Sequence, residues 1–374
     1  MFSPADWKRS TPELPHCGRE TARYGLPADP AGRRLNDPQF IIKGGMRMKL
    51  TSFAAVAALA IGMNTAALAE TLRVSTYLPP NHSMNHEITD WGKELSERTN
   101  GALKLELYPA GQLGPAPRQF DLVRAGGADI TVVLHGATPG RFPMSELAGL
   151  PLTYPSAGRD SQITSRRLTE LAPQYLAAEH EGTRILWMAV TPPLKMHFAK
   201  TDPSDLNSLK GLRIRYAGSI WQQVIEALGA SPAAVQPAET ADAMSRGVVD
   251  GAAFPFEAAM SFDLGPVTRY SLEPGLVSAT FAVVISDEAW NRLSEEQRSL
   301  ITETTGPDRA EAFGKRWDEG EAVARKYMTD QGVKIVELTS EQLNSLHSSF
   351  EGIVERAVSA VSGPGAEFVA AYSK

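Results

Sequence analysis

Thiol chemistry is almost absent from this chain, which carries a single cysteine, Cys17, in 374 residues. A lone thiol closes no intramolecular disulfide and builds no thiolate metal cage. Long apolar runs are scarce as well. The one candidate, Leu50 to Ala69, has its apolar part at Phe53 to Met63, too short for a spanning helix, which needs roughly 20 apolar residues. Arg47 and Lys49 precede it, and Ala67-Leu68-Ala69 closes it before Glu70. That is the pattern of a cleavable secretory signal with a small-residue cleavage site.

The segment 1–45 lies upstream of that signal, is rich in Pro, Gly and Arg, and shows no sustained period, so it has little with which to build a core. Met46 or Met48 is the expected true start; a genuine N-terminal extension is the alternative. Cleavage after Ala69 would remove Cys17, and with it any cysteine nucleophile or lipid-anchoring thiol. The discarded part holds nine Lys or Arg and five Asp or Glu, which leaves 305 residues with 28 basic and 38 acidic side chains, a net charge of −10. Such a surface repels phosphate backbones, so no nucleic-acid partner is expected. An anionic ligand would need a local basic pocket.

Catalytic signatures are missing too: the expected mature chain has no nucleophile elbow, phosphate loop, dinucleotide fingerprint or His-Glu-x-x-His pair. His82, His86 and Glu87 are the nearest thing to a metal cluster. They lack a third ligand at matching spacing, so they are expected to be a polar helix start, with no metal and no cofactor in the protein.

What is present is a layered α/β pattern. Thr71–Tyr77 and Leu103–Tyr108 alternate as strands, with a helix through Met84, Ile88, Trp91 and Leu95 between them, ending near Asn100-Gly101. A helix from Phe120 to Gly126 and a strand Asp129–Leu134 follow, giving the βαβα order of a layered domain. The order recurs at Leu212–Tyr216, Ile220–Leu228, Ala238–Arg246 and Val248–Phe254. The two halves share a short pattern, Gly126-Gly127-Ala128-Asp129 and Gly247-Val248-Val249-Asp250, in which a helix ends on glycine and an aspartate follows at the third position. Two lobes with a ligand site in the cleft between them are therefore expected. Thr183–Ala199 reads as a crossing between lobes and Thr280–Ile285 as the crossing back. Ser294–Gln331 is charged and helical, fitting one or two long helices along both lobes, and further helix runs from Ser340 to a break at Gly363-Pro364-Gly365.

The strand Leu212-Arg213-Ile214-Arg215-Tyr216 carries the sharpest chemical signal. Alternation puts Arg213 and Arg215 on one face and the apolar residues on the other. Ala217-Gly218-Ser219 then leads into a helix, so unsatisfied N–H groups lie near Arg215. A guanidinium stays charged and offers two parallel hydrogen bonds to a carboxylate. Two readings fit Arg215, a carboxylate clamp or a solvated strand end. Two also fit His135, at the end of an apolar strand: a donor to a ligand oxygen, or a cap for the strand. Trp187, Trp221, Phe254 and Phe256 are the aromatics nearest the expected cleft. Phe254 ends a strand just before Pro255, which puts it at a loop by the cleft, whereas Glu257 suits the start of the next helix.

Several of these stretches together resemble the extracytoplasmic solute receptors of tripartite ATP-independent periplasmic (TRAP) transporters, of the dicarboxylate-receptor type. They are Tyr108-Pro109-Ala110-Gly111-Gln112-Leu113-Gly114, Gly127-Ala128-Asp129, Leu150-Pro151, Leu209 to Arg215, and Gly247 to Gly251, and the resemblance spans nearly all of the expected mature chain. It implies an α/β, two-lobed periplasmic-binding-protein-like fold with crossing strands and a long hinge-spanning helix. The implied parts are an upstream segment 1–45, a signal peptide 46–69, lobe I from 70–192 with 281–320, and lobe II from 193–280 with 321–374.

The resemblance also implies a role: a monomeric periplasmic receptor that captures an organic acid and delivers it to the small and large TRAP membrane subunits, without covalent chemistry. A sensor feeding a membrane kinase, or an enzyme on the same scaffold, are the rivals. By position, Arg215 matches the arginine that binds the ligand carboxylate, and Lys195 falls near a second basic contact. Phe254 stands where sialic-acid-type members have an asparagine, and Phe254-Pro255-Phe256-Glu257 looks like the Pro-Trp-Glu variant of a subgroup. The expected ligand contacts are Arg215, Lys195, Phe254, His135, Trp221 and Ser219.

Overall fold

The computed structural model describes residues 69–151, 153–361 and 363–374. The expected upstream segment 1–45 and residues 46–68 of the expected signal peptide lie outside the described residues. In chain order the strands are β1 (Glu70–Ser75), β2 (Leu103–Tyr108), β3 (Ile130–Leu134), β4 (Thr183–Val190), β5 (Leu194–Phe198), β6 (Arg213–Tyr216), β7 (Ser231–Ala234), β8 (Gly251–Phe254), β9 (Tyr270–Val277), β10 (Thr280–Ser286) and β11 (Lys334–Glu337). They form a five-stranded sheet in the order β2-β1-β3-β10-β4 and a six-stranded sheet in the order β11-β9-β5-β8-β6-β7. These are the two lobes the sequence pattern implied.

Every residue of β3 and β10 is buried, because helices cover both faces of the first sheet; such strands read as continuous apolar runs. The helix Ser83–Arg98 packs on this sheet through Met84, Ile88, Trp91 and Leu95, all fully buried. Trp91 meets Trp187 of β4 edge-on, with ring centroids 5.5 Å apart, a geometry worth about 0.5–1.5 kcal/mol beyond the area it buries.

The chain crosses between sheets where Thr191-Pro192-Pro193 separates β4 from β5 and again between β9 and β10. Two prolines in succession offer no N–H to a ladder, so the strand must leave its sheet there. The crossings are tied to each other: the Thr191 N–H donates to Ala279 O and the Ala279 N–H to Thr191 Oγ1, each at 2.9 Å.

A third connection is the helix Pro307–Asp330, which starts with proline at its first position, where a missing N–H costs nothing. Its Phe313 and Trp317 sit in the core of the first lobe and its Ala324 and Met328 in that of the second. It lies so close to the helix Ser161–Tyr175 that a β-carbon on Gly314 would fall 2.4 Å from Ser161 O. The helices Ser340–Ala360 and Gly365–Tyr372 end the chain. The second of these returns to the helix Ser161–Tyr175, where Arg167 donates to Ala371 O.

Candidate functional site

Arg215 enters the interior because its strand neighbours are small. In register it pairs with Ala233 of β7 and Ala252 of β8, which leaves room for a guanidinium to lie along the sheet. It is 2% exposed. Nε donates to Val235 O at 3.1 Å and Nη1 to Ala253 O at 3.3 Å, and the guanidinium carbon lies 4.3 Å from the centre of the Phe254 ring. Among the described residues no carboxylate pairs with it, and the Tyr77 phenol lies nearby. Burial accordingly pushes its pKa down to about 10. Two carbonyls and a ring face satisfy part of this cation and leave its charge unmatched. Leaving a buried charge unpaired costs several kcal/mol.

The cation faces a narrow cavity between the lobes. The first lobe contributes Tyr77, Leu134 and Phe281, the second Arg215, Phe254 and Phe262, and the spanning helix Trp317. The wall is otherwise apolar apart from His82 and Thr191. Neither ring nitrogen of His82 is available to a ligand: Nδ1 accepts from the Met84 N–H at 3.1 Å, and Nε2 faces Glu257 Oε2 at 3.2 Å. Burial holds its pKa below the ordinary value against the opposing pull of Glu257. The Trp317 indole N–H also goes to Glu257, at 3.1 Å. Burial pushes the Tyr77 phenol well up, so it stays protonated beside Arg215.

The other expected contacts lie elsewhere. Lys195 is nearly buried, yet its ammonium pairs with Glu321 of the spanning helix and lies over Phe256, in a separate groove behind the crossings. Ser219 starts the helix Ser219–Ala227, but its N–H and hydroxyl donate to Glu146 Oε2 at 3.0 and 3.1 Å; these donors are already engaged. Trp221 belongs to the core of the second lobe and lines a small void beside Glu146. His135 is fully buried, with Nδ1 2.9 Å from Thr280 Oγ1 and Nε2 3.1 Å from His180 Nε2. His180 Nδ1 donates to Leu176 O at 2.9 Å. The proton order is then Thr280 to His135 to His180 to carbonyl, with both rings neutral, and burial holds both pKa values down. Trp187 and Phe256 are core. Glu87 is taken by Arg309 and Arg316, and among the described residues no cluster of three or more metal-ligating side chains occurs.

Tyr77, Phe262, Phe281 and Trp317 also line the cavity, beyond the residues the sequence pattern singles out. Tyr77 offered a signal, since it stands at the end of a strand of the βαβ unit, where such folds place ligand groups. Trp317 offered none: it comes from a helix a hundred residues downstream of Arg215. Glu257 was read as a helix-start acid, and it also accepts from Ser83 N and Oγ, Ser261 Oγ and Trp317 Nε1.

A solute-binding protein of Roseobacter denitrificans is 25% identical over 301 residues, covering 78% of this chain and 89% of the relative. A solved marine metagenome TRAP solute binding protein specific for aromatic acid ligands, in complex with 3-hydroxybenzoate, is 28% identical with a TM-score of 0.77, covering 82% of this chain and 97% of that one. A TRAP periplasmic solute binding protein from Bordetella bronchiseptica, with bound (R)-mandelate and (S)-mandelate, is 30% identical with a TM-score of 0.75, covering 81% and 97%. Family and structural neighbours alike are binding proteins. The family described as bacterial extracellular solute-binding protein, family 7, matches residues 74–360, and this chain, with its two lobes closed around a buried arginine, belongs to it as a TRAP solute-binding receptor for carboxylates.

Proposed function

We propose that the acid is a small, ring-bearing monocarboxylate, held with its carboxylate on Arg215 and the Tyr77 hydroxyl and its ring among Phe254, Phe281 and Trp317. The observation that carries this reading is a buried guanidinium with no carboxylate partner at one end of an aromatic cavity. An anion arriving there relieves the unmatched charge and makes charge-assisted hydrogen bonds. Among the described residues the opposite end has no second free cation, so a second carboxylate would be desolvated against rings. That disfavours plain dicarboxylates. The crystallised relatives with aromatic acid ligands and mandelate support the same class.

The receptor acts in the periplasm, after loss of the signal peptide, as a monomer that hands its closed form to the small and large TRAP membrane subunits. It does no covalent chemistry. Among the described residues no helix is long and apolar enough to cross a membrane. A thermal-shift screen against benzoate, hydroxybenzoates, mandelate, succinate, malate and sugar acids tests the ligand class. A ring monocarboxylate should raise the melting temperature, since a ligand at one hundred times its dissociation constant adds about 2.7 kcal/mol. Response to succinate or malate alone would overturn the ring assignment, and silence to every acid would overturn the clamp.

A further inference from the structure

We propose that Glu146 and Glu257 form a reciprocal clasp across the cleft that sets how readily the lobes close, so that both govern ligand affinity without touching the ligand. Each carboxylate leaves one lobe and lands on the first residue of a helix in the other. Glu257, beside β8, accepts from Ser83 N at 2.9 Å and Ser83 Oγ at 3.0 Å, at the start of Ser83–Arg98. Glu146, after β3, accepts from Ser219 N at 3.0 Å and Ser219 Oγ at 3.1 Å, at the start of Ser219–Ala227. Both carboxylates are buried. A helix start presents N–H groups with no partner inside the helix and a partial positive charge, which a carboxylate satisfies.

A second pair of carboxylates shows what a clasp is not. Asp318 and Glu321 lie one turn apart on the spanning helix Pro307–Asp330. Asp318 accepts from Ser161 N and Gln162 N, each at 2.9 Å, and Glu321 from Phe256 N at 3.0 Å and Glu257 N at 2.9 Å. Each thus moors a helix of one lobe to the connecting helix, and these contacts need not break when the lobes part. The Glu146 and Glu257 contacts run directly from lobe to lobe and must break.

At the Glu146 side the lobes touch backbone to backbone, since a β-carbon on Gly136 would come within 2.7 Å of Gly218 Cα. Opening there transfers the Ser219 donors and a buried carboxylate to water together. A ligand that closes the lobes is helped by every contact present only in the closed form, because apparent affinity scales with the population of the competent form.

The test reads closure directly, and rests on the proposed acid class only for its probe. Spin labels on Lys104→Cys and Val248→Cys, one exposed site per lobe, report the interlobe distance in the full chain carrying Cys17→Ser, titrated with 3-hydroxybenzoate. Glu257→Ala and Glu146→Ala should each raise the midpoint of closure roughly tenfold, the scale of one charge-assisted hydrogen-bond set partly replaced by water. Glu257→Gln and Glu146→Gln keep an accepting oxygen and should shift it far less. Asp318→Ala should lower the melting temperature and leave the midpoint in place.

Alanine variants that fold and close at the wild-type midpoint would overturn the clasp. So would a wild type that stays open with and without acid. If the wild type is partly closed without ligand, the alanine variants are open, and neither responds to the acid, the clasp stands and the acid assignment falls.

Discussion

The two lobes carry the same clip at the root of a strand and diverge two residues later. In the first lobe Arg73 of β1 gives its backbone N–H to Asp129 Oδ2 at 2.8 Å and its Nε at 3.3 Å, while its remaining nitrogens reach Gly127 O and Gly126 O. In the second lobe Arg213 of β6 does the same to Asp250 Oδ2, at 2.8 and 3.1 Å, and reaches Gly247 O. This explains the repeated glycine-to-aspartate pattern: the helix must end on a glycine carbonyl and the aspartate must follow at fixed spacing for one arginine to hold both. Two positions on, the same strand face carries Ser75 in one lobe and Arg215 in the other. Ser75 is a buried hydroxyl with no hydrogen-bond partner among the described residues, a small filler. Arg215 is the clamp. Four positions after each clip, Tyr77 and Ala217 both line the cavity. A common scaffold delivers both strand ends to the cleft, and one substitution-sized difference decides which lobe carries the charge.

Removing that difference should have the largest effect. Arg215→Ala is expected to weaken binding of the native acid by about 30-fold or more, since truncating one partner of a buried hydrogen-bonded charge pair costs about 2–5 kcal/mol. The ligand-free protein should be no less stable and can gain, because an unpaired buried cation is lost. Calorimetric titration and a melting curve of the same variant check both signs. A variant that binds as wild type does, or that fails to bind only because it is unfolded, would leave the lobes without the functional contrast drawn here.

Acid should loosen both lobes, through histidines buried neutral in each. His197 of β5 lies behind the Phe254 wall, with Nε2 3.1 Å from Phe254 O and Nδ1 2.8 Å from Ser271 Oγ, and burial pushes its pKa down to about 4. In the first lobe His180 is pushed down to about 4 by burial as well, and burial holds its partner His135 well below its ordinary value. The unfolded chain takes up these protons near the ordinary value of about 6.5 and the folded chain does not. Stability is therefore full above that pH and declines as pH falls toward 4, by about 3 kcal/mol for each of His197 and His180. Urea unfolding at pH 7, 6, 5 and 4 measures the slope. His197→Gln and His180→Gln should each flatten it, and an unchanged slope in either would show that its lobe does not hold a neutral ring.

Legibility in the sequence followed contact range. β2 and the seam Met84, Ile88, Trp91 and Leu95 could be read because one element's own period encodes them. The helix Ser161–Tyr175 could not be read. Its buried face includes Ser161, Thr164, Ser165 and Thr169, which are polar because they bond to backbone such as Val190 O and Met188 O. It also carries Pro173 inside. Arg215, next to the end of β6, and Phe254, which ends β8, were legible as cleft candidates because these parallel strands finish on the same side of their sheet. Lys195 was a candidate only through the family resemblance and Ser219 only as a helix start, and the structure gives them carboxylates from Glu321 and Glu146, residues whose approach no local pattern announces. Tyr77, Phe281 and Trp317 meet Arg215 only through closure of the two lobes.

The clips themselves offer the finest test of how alike the lobes are. Asp129 is almost wholly buried and also takes Arg292 at 2.9 Å, whereas Asp250 is partly exposed and is paired to Arg213 alone. In Asp129 the burial that raises the carboxyl is outweighed by Arg292 and Arg73, and in Asp250 by Arg213, so both lie below the ordinary range. Each thus adds stability that is present above pH 4 and is lost as pH falls through the lower folded value. Asp129→Asn should cost about 2 kcal/mol, because it removes a nearly buried negative charge shared by Arg73 and Arg292 and turns an amide N–H toward one of the two guanidinium groups. Asp250→Asn should cost about 1 kcal/mol or less, because that carboxylate is itself partly exposed and screened. Neither change touches the cavity, so acid binding should persist in both while urea midpoints separate. Equal losses would mean that the clip stabilises each lobe to the same degree whatever its burial, and a binding defect confined to Asp250→Asn would show that the clip also sets the position of Arg215.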